Sequence, residues 1–146
     1  RIESIEIGDD CFGHVKAFCM DGFQRLQMLK IGNNSFTQNK NDKGNDLSKS
    51  FHVRNCQMLR SIEIGLFSFA DFAGQFELKD LPSLESIKIG AIGTKSYNFH
   101  HTSFVIRGFI VIITHIINRS SKSQVNFTWR RVVLLFAANT NRRYRM

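Results

Sequence analysis

The chain has 146 residues, which fits one domain of ordinary size with a hydrophobic core. Hydrophobic residues make up 42% and charged residues 22% of it, so it is neither a disordered polar segment nor a coiled coil, and a single proline excludes collagen-like material. The longest apolar run, Phe109 to Ile117, is much shorter than the about 20 residues that a membrane-spanning helix needs. The chain opens with Arg1 and without a positive-then-apolar leader, so we expect a fragment or a processed chain.

A seven-residue pattern, aliphatic-x-x-aliphatic-x-Ile-Gly, occurs four times along the chain. The copies are residues 2–8, 26–32, 59–65 and 84–90, and their starts are 24, 33 and 25 residues apart. The long interval contains the polar stretch 37–48, which we predict to be a surface loop. Self-similarity of this kind indicates that the copies are units of one repeat architecture.

The match between the copies extends beyond the seven-residue pattern. In three copies a small residue and a phenylalanine follow the glycine, and a second apolar alternation comes before the next copy. These positions are Cys11-Phe12, Ser35-Phe36 and Ser68-Phe69, followed by Phe18 and Met20, Phe51 and Val53, and Phe76 and Leu78. The period of two predicts two short strands per repeat. Because so short a strand cannot bury its apolar side alone, we expect neighbouring copies to stack in parallel about 4.8 Å apart.

The glycine that ends each copy predicts a tight turn in the backbone, since glycine accepts a positive φ at little steric cost. Gly8, Gly32, Gly65 and Gly90 occupy this position. We therefore expect a left-handed backbone at these four residues.

These registers resemble the leucine-rich repeat family, whose pattern is Leu-x-x-Leu-x-Leu-x-x-Asn/Cys-x-Leu. The residues of the third copy that match it are Leu59, Ile62, Ile64 and Phe69. The Ile-Gly-x-x-small-Phe signature is similar to the divergent repeats of BspA-like surface proteins. The resemblance covers residues 1–108. It departs from the family at the Asn/Cys position, which holds Asp10, Asn34 and Phe67, so only one copy could contribute to an asparagine ladder.

The resemblance implies a β-rich fold class. We predict a leucine-rich-repeat-like solenoid of about four repeats of 24–25 residues, with two short strands per repeat and few or no long helices, over residues 1–112. A basic C-terminal segment follows at residues 113–146, either as a cap on the open end or as a disordered tail. Because the array begins within its first copy, an unpaired strand edge is exposed there, and we expect self-association through that edge.

The residues between the core positions predict parallel columns on one face of a sheet. One column reads Glu6, Lys30, Glu63 and Lys88, and its neighbour reads Glu3, Gln27, Arg60 and Glu85. The alternating signs of the first column favour in-register stacking, although an exposed pair contributes only about 0–1 kcal/mol. The resemblance implies that variable positions of this face bind a protein or peptide, whereas the alternative is a solvated face without a partner. The candidate partner-binding residues are Gln27, Met28, Arg60, Ser61, Glu85 and Ser86.

No residue pattern indicates catalysis, a cofactor or a metal. Cys11, Cys19 and Cys56 each occupy a position that the repeat explains, and their spacing fits neither a metal pair nor a disulfide framework. The sequence contains no nucleophile elbow, no Gly-rich phosphate loop and no His-Glu-x-x-His motif. We therefore predict a non-catalytic protein-interaction or surface-structural module.

An alternative function arises from the distribution of charge. Residues 1–98 contain 12 cations and 12 acids, which cancel, whereas residues 99–146 contain eight cations and no acid, so this last third carries the whole net charge of +8. Basic segments of this kind attract phosphates and anionic lipid by long-range electrostatics. Residues 119–146 therefore predict, as the alternative, docking on nucleic acid or on an anionic membrane surface.

Overall fold

The computed structural model describes residues 1–38, 46–90, 97–99, 102–110, 114–117, 125–127 and 135–136. These ranges hold eleven strands and no helix. The strands are β1 (Ser4–Ile7), β2 (Ala17–Asp21), β3 (Met28–Ile31), β4 (Ser50–Arg54), β5 (Ser61–Ile64), β6 (Gln75–Leu81), β7 (Ser86–Ile89), β8 (Ser103–Ile110), β9 (Thr114–Ile117), β10 (Val125–Phe127) and β11 (Leu135–Phe136). A search of the same ranges finds no apolar helix of membrane-spanning length.

The strands form two parallel sheets. One sheet has six strands in the order β1-β3-β5-β7-β9-β11, and the other has five in the order β10-β8-β6-β4-β2. Successive strands therefore alternate between the sheets from β1 to β11. Each sheet grows by the addition of a parallel neighbour from the next copy of the pattern.

The four copies pair in the register that the apolar alternation predicts, and this prediction is confirmed. Ile5, Leu29, Ile62 and Ile87 are successive Cα partners across the six-stranded sheet. The second segments pair in the same way, through Phe18, Phe51, Phe76 and Phe104. A slip of one residue would turn every apolar side chain to the opposite face, so a buried face enforces this register strongly.

The predicted fold class, a leucine-rich-repeat-like solenoid of about four repeats, is wrong. The finding that overturns it is a pair of extensive parallel sheets between which the strands alternate, without a helix in the described ranges. The second segments are full sheet strands, since β6 and β8 have seven and eight residues. Apolar alternation specifies the register of neighbouring strands, but it carries no information on strand length or on strands added after the last recognisable copy.

One hydrophobic core collects the inward side chains of both sheets. Leu26, Leu59 and Leu84, which begin the second, third and fourth copies, have no exposed surface. Phenylalanine rings from the turns stack in one ladder, with Phe36–Phe69 and Phe69–Phe99 centroids 4.7 and 4.9 Å apart. A second ladder runs through β2, β4 and β6, and its rings meet the first ladder edge to face. The core is therefore built from aligned aromatic rings as well as from aliphatic residues.

Phe99 extends the first ladder to a fourth turn that the sequence analysis missed. It lies ten residues after Ile89, whereas the other copies place this phenylalanine five residues after the last isoleucine. The segment Tyr97-Asn98-Phe99 indicates this turn in the sequence, because it aligns with Asn34-Ser35-Phe36 when the longer spacing from the preceding isoleucine is allowed.

The positive φ expected for the glycine that ends each copy is wrong in three of the four copies. Among the described residues the glycines with positive φ are Gly22 and Gly90, so the expectation holds at Gly90 alone. The left-handed conformation is instead taken by non-glycine residues in the turns. They are Asp10, Asn34, Phe67 and Tyr97, and then Phe12, Phe36, Phe69 and Phe99, with φ between 49 and 62°.

Gly32 and Gly65 have a different physical role, which is close approach between copies. A Cβ on Gly32 would lie 2.8 Å from the backbone nitrogen of Asp9, and one on Gly65 would lie 2.6 Å from the backbone oxygen of Gly32. A polar side chain of the next turn also bonds to the carbonyl oxygen of such a glycine, since Ser35 Oγ donates to Gly8 O at 2.8 Å and Asn98 Nδ2 donates to Gly65 O at 2.7 Å. Glycine is thus required for contact between copies rather than for a turn.

The predicted surface loop at residues 37–48 is described only at its two ends. Thr37 is buried and Leu47 is 77% exposed. Asp46 forms an isolated parallel bridge with Phe72. The remainder of this prediction, residues 39–45, lies outside the described residues.

Candidate interaction surfaces on the two sheets

The six predicted partner-binding residues come together at the start of β3, β5 and β7. Met28, Ser61 and Ser86 are successive Cα partners. Gln27, Arg60 and Glu85 form the adjacent row, which two backbone hydrogen bonds hold together: Arg60 N donates to Gln27 O and Glu85 N donates to Arg60 O, each at 2.8 Å. Residues up to 58 positions apart in sequence thus form two neighbouring rows (85 − 27 = 58).

These rows are open to a partner. Arg60 and Glu85 are exposed, and the other four candidate residues are half-buried. A third row on the same sheet contains the exposed residues Glu6, Lys30, Glu63 and Lys88 in register. We call the three rows together the six-strand face. Its three cations and three acids cancel, and Met28 is the large apolar side chain among the residues named.

The outward side of β2, β4, β6 and β8 carries a second surface, which we call the five-strand face. One of its rows is Cys19, His52, Glu77 and Val105, and the next row is Asp21, Arg54, Lys79 and Arg107. This face was not predicted from the sequence. In the sequence, a charged residue directly follows Met20, Val53, Leu78 and Ile106. These charged residues form a row only when the register between the strands is known.

Glu77 is buried although it lies on this outward side. Its side chain is 9% exposed, and its Oε1 lies 2.8 Å from Arg54 Nε and 3.4 Å from His52 Nδ1. Its Oε2 lies 3.9 Å from Arg107 Nε. The Arg54 and His52 contacts have ion-pair distances without hydrogen-bond geometry. Glu77 is therefore the shared counter-ion of Arg54 and Arg107 on this face.

A second buried ion pair lies beside the polar loop. Lys49 Nζ donates to Asp71 Oδ2 at 2.7 Å, and Gln38 N donates to the same oxygen at 3.1 Å. Both charged side chains are almost fully buried, and the Lys49 ammonium lies 5.8 Å from the centre of the Phe72 ring. Since no surface of this pair is open to a substrate, we assign it to the structure of the fold.

The described residues contain no group of three or more potential metal ligands. All three cysteines are free thiols: Cys19 is exposed, Cys11 is half-buried, and Cys56 is buried. Cys11 Sγ donates to Asp9 O at 3.3 Å. Burial raises the pKa of the Cys56 thiol above its usual value, so less of the reactive thiolate forms at a given pH.

The three thiols should therefore differ in reactivity toward a water-soluble disulfide reagent. In the native chain near neutral pH, Cys19 should react first and Cys11 more slowly, whereas Cys56 should react only when the chain opens. Mass spectrometry of the labelled peptides gives the order, and labelling in strong denaturant provides the control in which all three react. Fast native labelling of Cys56 would contradict its burial.

Comparison with protein-family models, with curated proteins and with solved structures finds no match. The function of the chain is therefore inferred from the chemistry of its two faces. The predicted docking segment, residues 119–146, is described only at 125–127 and 135–136, so its proposed contacts with nucleic acid or lipid lie mostly outside the described residues.

Proposed function

We propose that the chain is a non-catalytic protein-interaction module that binds a protein or peptide through the six-strand face. The observation that carries this proposal is the assembly of Gln27, Arg60 and Glu85 beside Met28, Ser61 and Ser86 on three paired strands. Strands hold side chains more rigidly than loops do, so a partner meets a surface that is largely ordered before binding.

The arrangement of residues suggests how such a partner would be recognised. Arg60 lies at the centre of its row, between Gln27 and Glu85, and can present its planar group to a carboxylate. Met28 is followed in its row by the small side chains of Ser61 and Ser86, which leaves space for an apolar group beside the thioether. The two rows at the start of the strands thus combine one cation, Arg60, one acid, Glu85, and one adaptable apolar side chain, Met28.

Arg60→Glu should weaken binding of a partner by about 30-fold, because a central arginine in an interface often contributes about 2 kcal/mol. The full-length chain is used to retain proteins from a cell extract, and a retained protein is then purified and titrated against each variant. Lys16→Glu is the matched control, since Lys16 is also exposed and lies outside the six-strand face. Equal weakening by both substitutions, or by neither, would contradict the proposal.

A second candidate function is docking through the basic C-terminal segment, which the absence of acids from residues 99–146 favours. Replacing Arg142, Arg143 and Arg145 by Gln in the full-length chain separates the two candidates. Binding that is lost in this triple variant and retained in Arg60→Glu would assign function to the C-terminal segment.

A further inference from the structure

The five-strand face places three cations directly beside one another. Arg54, Lys79 and Arg107 are successive partners on β4, β6 and β8, at the strand spacing of about 4.8 Å. Like charges opposite one another on neighbouring strands are destabilising. The six-strand face avoids this cost, because Lys30 lies between Glu6 and Glu63. A row of three cations is therefore an exception within this chain's own pattern.

Glu77 offsets only part of this repulsion. Its carboxylate lies near Arg54 and Arg107, while Lys79 is exposed between them and has no ion pair among those found for the described residues. With Asp21, which is the Cα partner of Arg54 in the same row, the cluster contains three cations and two acids, and with His52 counted as neutral its charge is +1 (3 − 2 = 1). Glu77 also restrains the two guanidinium groups that lie within ion-pair distance of it, which lowers part of the entropy cost of binding an anion.

The chemistry of the face favours carboxylates over nucleic acid. Planar guanidinium groups match the geometry of carboxylates, and an exposed lysine adds a mobile positive charge. Binding of single-stranded nucleic acid relies on aromatic rings on which bases stack. The outward residues of β2, β4 and β6 include no phenylalanine, tyrosine or tryptophan; they are Ala17, Cys19, Asp21, Ser50, His52, Arg54, Gln75, Glu77 and Lys79.

We propose that the five-strand face binds an acidic polypeptide segment along the row Arg54, Lys79 and Arg107. This surface is distinct from the six-strand face, and its occupant is defined by charge complementarity. Because Lys79 and Arg107 are exposed and Arg54 is half-buried, the interaction depends on salt and weakens as ionic strength approaches about 0.15 M. It does not rest on the function proposed for the other sheet.

The test uses the full-length chain and a fluorescein-labelled polyglutamate peptide, with binding followed by fluorescence anisotropy at low salt. Lys79→Glu should weaken binding by at least about tenfold, because it reverses the central charge of the row, while Lys79→Arg should retain it. Lys16→Glu is the matched control, because Lys16 is exposed and lies outside both rows of the five-strand face, and it should leave the affinity unchanged. Thermal unfolding of each variant verifies that the exposed substitutions leave the fold intact.

Three outcomes would overturn the proposal. The wild-type chain could fail to bind polyglutamate at low salt, or Lys79→Glu and Lys16→Glu could weaken binding equally. Binding could instead be lost in the triple Arg142, Arg143 and Arg145 to Gln variant, which would place the peptide on the C-terminal segment. An oligothymidylate that binds as tightly as polyglutamate, with the same dependence on Lys79, would replace the acidic peptide by a nucleic acid as occupant.

Discussion

Gly65→Ala should lower the free energy of unfolding by about 3 kcal/mol, which is the upper end of the usual cost of overpacking. The added Cβ would lie 2.6 Å from the backbone carbon and oxygen of Gly32. These atoms cannot move aside as the end of a flexible side chain can, because Gly65 N donates to Ile31 O and Leu66 N donates to Asn33 Oδ1, both at 2.8 Å. The substitution must therefore separate the second and third copies and lengthen these hydrogen bonds.

Gly8→Ala is the matched control for this effect. Gly8 occupies the same position in the first copy, but a Cβ there would meet only Cys11 Sγ, at 4.0 Å. We expect a change within about 0.5 kcal/mol, since the new methyl group has room and the φ of Gly8 is not positive. Urea unfolding measures both variants through the midpoint at constant slope. Equal losses in the two variants would show that close approach between copies is not the cause.

Phe69→Ala should lower the free energy of unfolding by about 3–5 kcal/mol, which is the range measured when a large buried aromatic side chain is truncated. The Phe69 side chain is fully buried. Its ring stacks on Phe36 and Phe99 and meets Phe18, Phe51 and Phe72 edge to face. Because Phe69 joins the two ladders, its removal leaves a cavity bordered by rings that cannot all collapse into it.

Phe12→Ala separates ring burial from backbone conformation. Phe12 and Phe69 have φ values of 56 and 59°, so alanine meets the same backbone strain at both positions. Phe12 is 56% exposed and stacks only on Phe36 among the ring contacts found, at 5.2 Å. We expect it to cost less than about 1 kcal/mol. If Phe69→Ala is too unstable to fold, Phe69→Leu should still lower the free energy of unfolding by more than Phe12→Leu does. The reverse order would contradict the role of the ladder.

The pairing of the sheets was the part of the fold most accessible from sequence. Ile62 and Ile64 alternate with Glu63, and the same alternation recurs in each copy, so one face must be buried and the register follows. The fold class was not accessible in this way. The family resemblance depended on the spacing of Leu59, Ile62 and Ile64, which is a local property that different arrangements of parallel strands can share.

The surfaces were predictable to different degrees. The grouping of Arg60 with Gln27 and Glu85 followed from the register of the copies, and the structure brings these residues together. That they bind a partner stays a prediction. The row of Arg54, Lys79 and Arg107 was missed because each cation is unremarkable by itself, and the repulsion between them exists only after three separate strands have paired.

The left-handed phenylalanines of the turns restrict which amino acids these sites can accept during evolution. A β-branched residue such as valine is severely strained at a φ near 56°, as at Phe36, while glycine would relieve the backbone and leave the space of the ring empty. Side chains of similar volume without a branch at Cβ, such as leucine and methionine, satisfy both demands best. A library of substitutions at Phe36 and Phe69 should therefore yield a narrow set of survivors, chosen jointly by volume and by the absence of branching next to the backbone.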